Sequence, residues 1–223
     1  MIKSNKNKQI TRSVGILGIA TALSRVLGYI RDAYNAFLFG AGMVSDAFFV
    51  AYRIPNMLRD LLAEGALSAA FIPTFVDYLE KKGKEEAFKL ANIVLSLLLI
   101  LFSLIILLGF IFAPFIVKVM APGFVPDAIN LTVKLTRILF PFIAFMGFAS
   151  ALMGMLNSLK HFTVPALAPA LANVVMILSG IFICPLFGNK PEEQVIGWTL
   201  GALLSGLIQV IVQVPQVLKN GFK

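Results

Sequence analysis

Eight ionisable residues stand where their charges are costly: Arg25, Arg31, Asp32, Asp46, Arg53, Arg59, Asp60 and Glu64, all set among apolar neighbours. A lone Arg, Lys or Asp at the centre of a membrane helix costs about 2.5 to 3.5 kcal/mol. Facing lipid, the group would cost on the order of 20 kcal/mol, more than a typical folding stability. These side chains must therefore pair, sit near an interface or line water.

Helical spacing groups them. Arg25 and Asp32 are one heptad apart and so share a helix face, with Gly28 leaving room between them. Arg53 and Asp60 repeat that spacing, with Asn56 between them as a further polar group. Each segment is expected to carry a polar stripe, and the two stripes to face one cavity. Buried salt bridges that fix helix register would explain the same charges. The arginine excess favours a hydrated cationic cavity, since four arginines stand against Asp32, Asp60 and Glu64. Arginine is suited to bidentate recognition of phosphate or carboxylate, so an anionic headgroup is the expected guest.

The elements that position these residues follow from composition. The hydrophobic fraction is 59% and the charged fraction 13%, against about half and a quarter in soluble domains. So much apolar surface cannot be hidden inside a chain of 223 residues, which points to a polytopic all-α membrane bundle. Four uncharged runs, Leu90–Val117, Ile138–Leu159, Phe162–Asn189 and Gln194–Leu218, are long enough to span a bilayer. Two earlier segments, Ser13–Phe39 and Asp46–Tyr78, read as spans interrupted by charge. Both are expected to be irregular, the second kinked or broken at Pro55, Gly65 and Pro73. The six spans are placed at about 13–39, 46–78, 90–117, 132–159, 162–187 and 194–218, forming one lobe between a basic start, 1–12, and a short tail, 220–223.

The net charge of +8 would suggest nucleic acid in a soluble protein. Here the basic residues sit in loops and tails, and no nucleic-acid partner is expected. With a cytoplasmic N-terminus, the inside segments carry Lys3, Lys6, Lys8, Arg12, Lys81, Lys82, Lys84, Lys89, Lys160, Lys219 and Lys223. The outside segments carry only Lys118 and Lys190. That asymmetry places both termini in the cytoplasm. The basic start followed by Ser13 to Leu23 resembles a signal peptide, but the apolar pattern continues beyond it.

Weaker features have structural readings. Lys134 and Arg137 read as interfacial side chains, and Gly147 and Gly154 as small residues that permit close helix packing. Pro165 and Pro169 mark the entry and a kink of the fifth helix. Cys184 reads as a small core residue, and one His with one Cys cannot make a metal site. No phosphate-binding glycine loop or nucleophile triad is present in the sequence, so neither an enzyme nor a cofactor is expected.

Three blocks resemble the signature of the MurJ/MviN lipid II flippases, within the multidrug/oligosaccharidyl-lipid/polysaccharide exporter superfamily. They are Ser24-Arg25-Val26-Leu27-Gly28-Tyr29-Ile30-Arg31-Asp32, then Asp46 through Arg59, then Ala63-Glu64-Gly65 through Pro73. The later Ala121-Pro122-Gly123-Phe124 and the Pro165–Asn173 stretch also fit. The resemblance implies export of an undecaprenyl-pyrophosphate-linked peptidoglycan precursor across the bacterial cytoplasmic membrane by alternating access between two lobes. It implies cavity charges at Arg25, Arg31, Asp32 and Arg59, functional positions at Asp46 and Asn56, and a gate residue at Glu64. It also implies that these residues form the first lobe only, with the second supplied in cis or in trans. A drug or ion antiporter of the same superfamily, or a membrane scaffold whose charges are structural, are the alternatives. The arginine excess disfavours the antiporter.

Overall fold

The computed structural model describes residues 2–222; for residues 2–14, 16, 17, 62–64, 66 and 68 it describes the backbone alone. Every regular element among the described residues is helical.

Helix α1 runs from Ile2 to Phe39 without a break, so the irregularity expected in the first span is absent. The reason is local: α1 contains no proline, and a glycine inside a helix costs only about 1 kcal/mol relative to alanine. The helix ends at Gly40, whose φ of 62° lies in the left-handed region that glycine enters without penalty. Ser45 Oγ donates to the Gly40 carbonyl at 2.7 Å, closing the turn into α2, Met43–Arg59.

The second span has the expected irregularity. Pro55 lies inside α2 and cannot donate to the carbonyl one turn back. A π-helical stretch, Asp60–Phe71, follows directly and holds Gly65; α3, Ile72–Lys81, then begins with Pro73 in its first turn. Such stretches widen a helix locally and concentrate at functional positions.

The remaining helices are α4 (Lys84–Met120), α5 (Pro126–Leu139), α6 (Phe142–Ser158), α7 (Thr163–Phe182) and α8 (Pro191–Lys219). Phe140 and Pro141 bend α5 into α6, so the pair forms one angled rod. Four units are long and apolar enough to cross a bilayer: α4, the α5–α6 rod, α7 and α8. Each overlaps one of the uncharged runs. The apolar stretch of α4 is only 11% buried, against 44% to 56% for the other three, so α4 is the most lipid-facing of them.

Proline repair is visible on α4. Pro114 has no N–H for the Phe110 carbonyl, and Arg137 Nε on α5 donates to that oxygen at 3.1 Å. The guanidinium also lies over the Phe110 ring, 4.9 Å from its centroid. Arg137 is thus an interhelical tie and not merely an interfacial side chain.

Packing divides along α8. One buried cluster joins Phe39, Phe48 and Cys184 to Trp198 near the start of α8. Another joins Phe75, Phe88, Met155 and Leu156 to Val217 near its end. Gly147 receives the Phe102 ring and Gly154 receives the Ile72 side chain, so both glycines serve close packing as their sequence context suggests. Between the two clusters the bundle is left open.

Candidate functional site

The opening is a cavity of about 520 Å³, within the range of small-molecule sites. Arg31 from α1, Tyr52 and Arg59 from α2, and Asn173 from α7 line one side of its polar surface. Ser205, Gln209 and Gln213 from α8 line another, with Met146, Met153 and Pro169 among the apolar contributors.

Arg31 reaches the cavity because α1 turns one particular face to α7. Ser24, Gly28, Arg31 and Asn35 are spaced by four, three and four residues and fall within a narrow arc of the helix. All four are at least half-buried, whereas Arg25, Val26, Tyr29 and Asp32 are exposed. Asn173 organises this face. Its Oδ1 accepts from Arg31 Nη1 at 2.9 Å, and its Nδ2 donates to the Ser24 carbonyl at 3.0 Å. A Cβ built on Gly28 would stand 3.6 Å from Asn173 Nδ2, so a longer side chain there would crowd the bridging amide.

The Arg31 guanidinium also donates from Nε (2.9 Å) and Nη2 (2.7 Å) to one oxygen of Asp32. Arg59 repeats the arrangement, donating to Asp60 Oδ1 from Nε at 3.0 Å and Nη2 at 2.6 Å. Each arginine side chain is about a quarter exposed and each aspartate more than half exposed. The carboxylates hold the forks in place while both arginine side chains keep some exposure. Arg31 spends one N–H each from Nε, Nη1 and Nη2 and keeps two of its five for a further anion.

The expectation that the Arg25/Asp32 and Arg53/Asp60 stripes face one cavity is therefore corrected. Asp32 pairs with Arg31 and not with Arg25; Asp60 pairs with Arg59 and not with Arg53. Arg25 and Arg53 are exposed, do not line the cavity and have no ion pair among the described residues. The cause is rotation. Residues 24 and 31 have the same separation as 25 and 32, but lie about 100° round the helix, and it is the 24/31 face that meets α7. On α2 the cavity is reached by Tyr52 and Arg59, seven residues apart, while Arg53 and Asp60 are exposed.

Asn56 is partly buried and donates from Nδ2 to the Tyr52 carbonyl at 3.0 Å, while its buried Oδ1 has no partner among the described residues. Asp46 is exposed in the first turn of α2, where a carboxylate suits the helix N-terminus. Glu64 belongs to the π-helical stretch, and its side chain lies outside the described residues.

Asn173, Gln209 and Gln213 escaped the charge-based reading because an amide is common enough in an apolar run to draw no notice. Two signals could have found them: three polar residues on α8 at every fourth position, and polar groups at membrane depth, which must find partners or water.

Known proteins share this fold and much of this sequence. A family model described as lipid II flippase MurJ matches residues 35–223. A lipid II flippase MurJ from Burkholderia cenocepacia is 36% identical over 201 residues, covering 89% of this chain and 38% of the relative. A protein described as a "probable lipid II flippase MurJ" from Buchnera aphidicola of Schizaphis graminum is 34% identical over 212 residues, covering 94% of the chain and 40% of the relative. A solved structure, lipid II flippase MurJ in an inward closed conformation, superimposes with a TM-score of 0.76 at 28% identity. That match covers 91% of this chain and 42% of the solved one. The chain spans about two-fifths of the length of the relatives it matches.

Proposed function

This chain belongs to the lipid II flippase MurJ family, and from that premise we propose that it forms the N-terminal lobe of a flippase for a lipid-linked peptidoglycan precursor. The observation that carries the reading is a pair of arginines on the wall of one cavity, each paired with the aspartate that follows it in sequence. A diphosphate bound there accepts charge-assisted hydrogen bonds from the Arg31 guanidinium, and Arg59 adds a second positive charge on the same wall. Asp32 and Asp60 orient the forks when the site is empty and compete with the phosphate, so the anion is held without being trapped. The prenyl chain stays in the bilayer while the headgroup crosses. No bond is made or broken, so the role is transport and not catalysis.

The exposed charges belong to the same proposal. Arg25, Asp32, Asp46, Arg53 and Asp60 lie on the outward side of α1 and α2, where lipid would be a costly neighbour. A second lobe, supplied in cis or in trans, covers this side and completes a water-filled passage with Asn56 and Glu64 near its boundary. The chain then sits in the bacterial cytoplasmic membrane with both termini in the cytoplasm, as the loop lysines favour. Cell-wall growth in a strain depleted of its own flippase provides the test. A full-length protein bearing this lobe restores growth, and the same protein with Arg31→Ala does not. Normal growth with Arg31→Ala would contradict the assignment.

A further inference from the structure

Gln213 has an acceptor with nothing to accept. Its side chain is buried, with 2% relative exposure, on the α8 wall of the cavity. Its Nε2 donates both to the Ala149 carbonyl of α6 at 3.2 Å and to the Gln209 carbonyl at 2.8 Å. Those two acceptors fix which end of the amide is nitrogen, because a flipped amide would set oxygen against oxygen. Oε1 is left buried with no partner among the described residues. Buried polar atoms without partners are rare, and one on a cavity wall marks the place of a missing donor.

Its neighbours share the character. Gln209 Nε2 donates to the Ser205 carbonyl and to Met146 Sδ, each at 3.3 Å. The Ser205 hydroxyl donates to the Ala202 carbonyl at 2.7 Å. Each of the three spends its hydrogen on a fixed protein acceptor and keeps oxygen lone pairs. At one residue per 1.5 Å, Ser205 to Gln213 forms an acceptor row about 12 Å long. The cavity is thus polarised, with cationic donors on α1 and α2 and neutral acceptors on α8.

We propose that this row recognises the uncharged, donor-bearing part of the transported headgroup, its sugar hydroxyls and amide N–H groups, with Gln213 Oε1 as the specificity-determining acceptor. A phosphate or carboxylate has no hydrogen to offer these oxygens and is repelled by them, so the row also directs the diphosphate to the arginines. The inference rests on the flippase reading and adds to it how the cavity distinguishes a sugar-bearing lipid from a bare prenyl diphosphate.

Binding to the protein in nanodiscs separates the two. The probes are lipid II, which carries sugars and peptide, and undecaprenyl pyrophosphate, which carries neither. The wild-type protein binds lipid II more tightly. Gln213→Leu weakens lipid II about tenfold, or about 1.4 kcal/mol, and leaves undecaprenyl pyrophosphate within twofold of wild type. Arg31→Ala weakens both probes by the same factor. Equal wild-type affinity for the two lipids, or a Gln213→Leu effect that is null or equal on both, overturns the Gln213 proposal alone. Failure of the wild type to bind undecaprenyl pyrophosphate, or no effect of Arg31→Ala on it, overturns the flippase reading instead. If Gln213→Leu does not fold, Gln209→Leu takes its place: a selective loss of lipid II affinity supports the acceptor row, and an unselective one contradicts it.

Discussion

The α1–α2 hairpin and the α4–α6 seam both sit among apolar residues, yet they handle polar groups in opposite ways. On the hairpin, charge is kept within reach of water: Arg31 and Arg59 line a cavity, and their paired aspartates are more than half exposed. In the seam, a strong polar contact is spent on the backbone, where Arg137 satisfies a carbonyl that Pro114 leaves without a donor. The rest is close packing, with the Phe102 ring seated on Gly147. Arginine in the first region is available to a ligand; in the second it is consumed by the fold. Residue type alone therefore does not separate a binding arginine from a structural one. What separates them is the hydrogen-bond partner: a competing carboxylate that a ligand can displace, or a backbone oxygen that it cannot.

Substitutions in the two regions should fail differently. The largest effect is expected at Arg31→Ala and Arg59→Ala, each lowering affinity for a prenyl diphosphate by about 10- to 100-fold, the range for a lost charge-assisted hydrogen bond. Arg31→Ala also removes the donor to the buried Asn173 Oδ1 and should cost about 1 to 2 kcal/mol of stability, so affinity is compared on folded protein. Next is Gly147→Leu, which drives a side chain into the space of the Phe102 ring and should destabilise the bundle by about 1 to 3 kcal/mol. Denaturation in mixed micelles reads this, and residual folded protein should retain diphosphate affinity. Arg137→Leu strands the Phe110 carbonyl and should cost about 1 to 2 kcal/mol of stability, again with little change in affinity. The smallest effect is expected at Arg25→Gln, within about 0.5 kcal/mol on this chain's stability, because the side chain is exposed and has no ion pair among the described residues. A large loss there would mean that the 25/32 face, not the 24/31 face, is the inward one.

The same contrast explains what could be read beforehand. The apolar helices were legible because an uninterrupted uncharged run has few other fates, and the second span's irregularity followed from Pro55, Gly65 and Pro73. The hairpin's charges were legible as outliers, but their facing was not. Heptad spacing links 24 with 31 as well as 25 with 32, and only the packing partner, Asn173 on α7, chooses between them. That partner is 142 residues from Arg31 in sequence, and no local pattern reaches so far. The acceptor row of α8 was illegible for another reason: Gln209 and Gln213 carry no charge, and their meaning depends on which of their atoms the fold has already used.

The account stands on Arg31 and Arg59 facing water at membrane depth, and thiol labelling in intact membranes tests that most directly. With the single native Cys184 replaced by alanine, cysteines are introduced one at a time at position 31, at position 59 and at Leu104, an exposed apolar residue of α4. A water-soluble maleimide should modify the Arg31→Cys and Arg59→Cys proteins and spare Leu104→Cys. Labelling that spares positions 31 and 59 as fully as position 104 would contradict a hydrated cationic cavity.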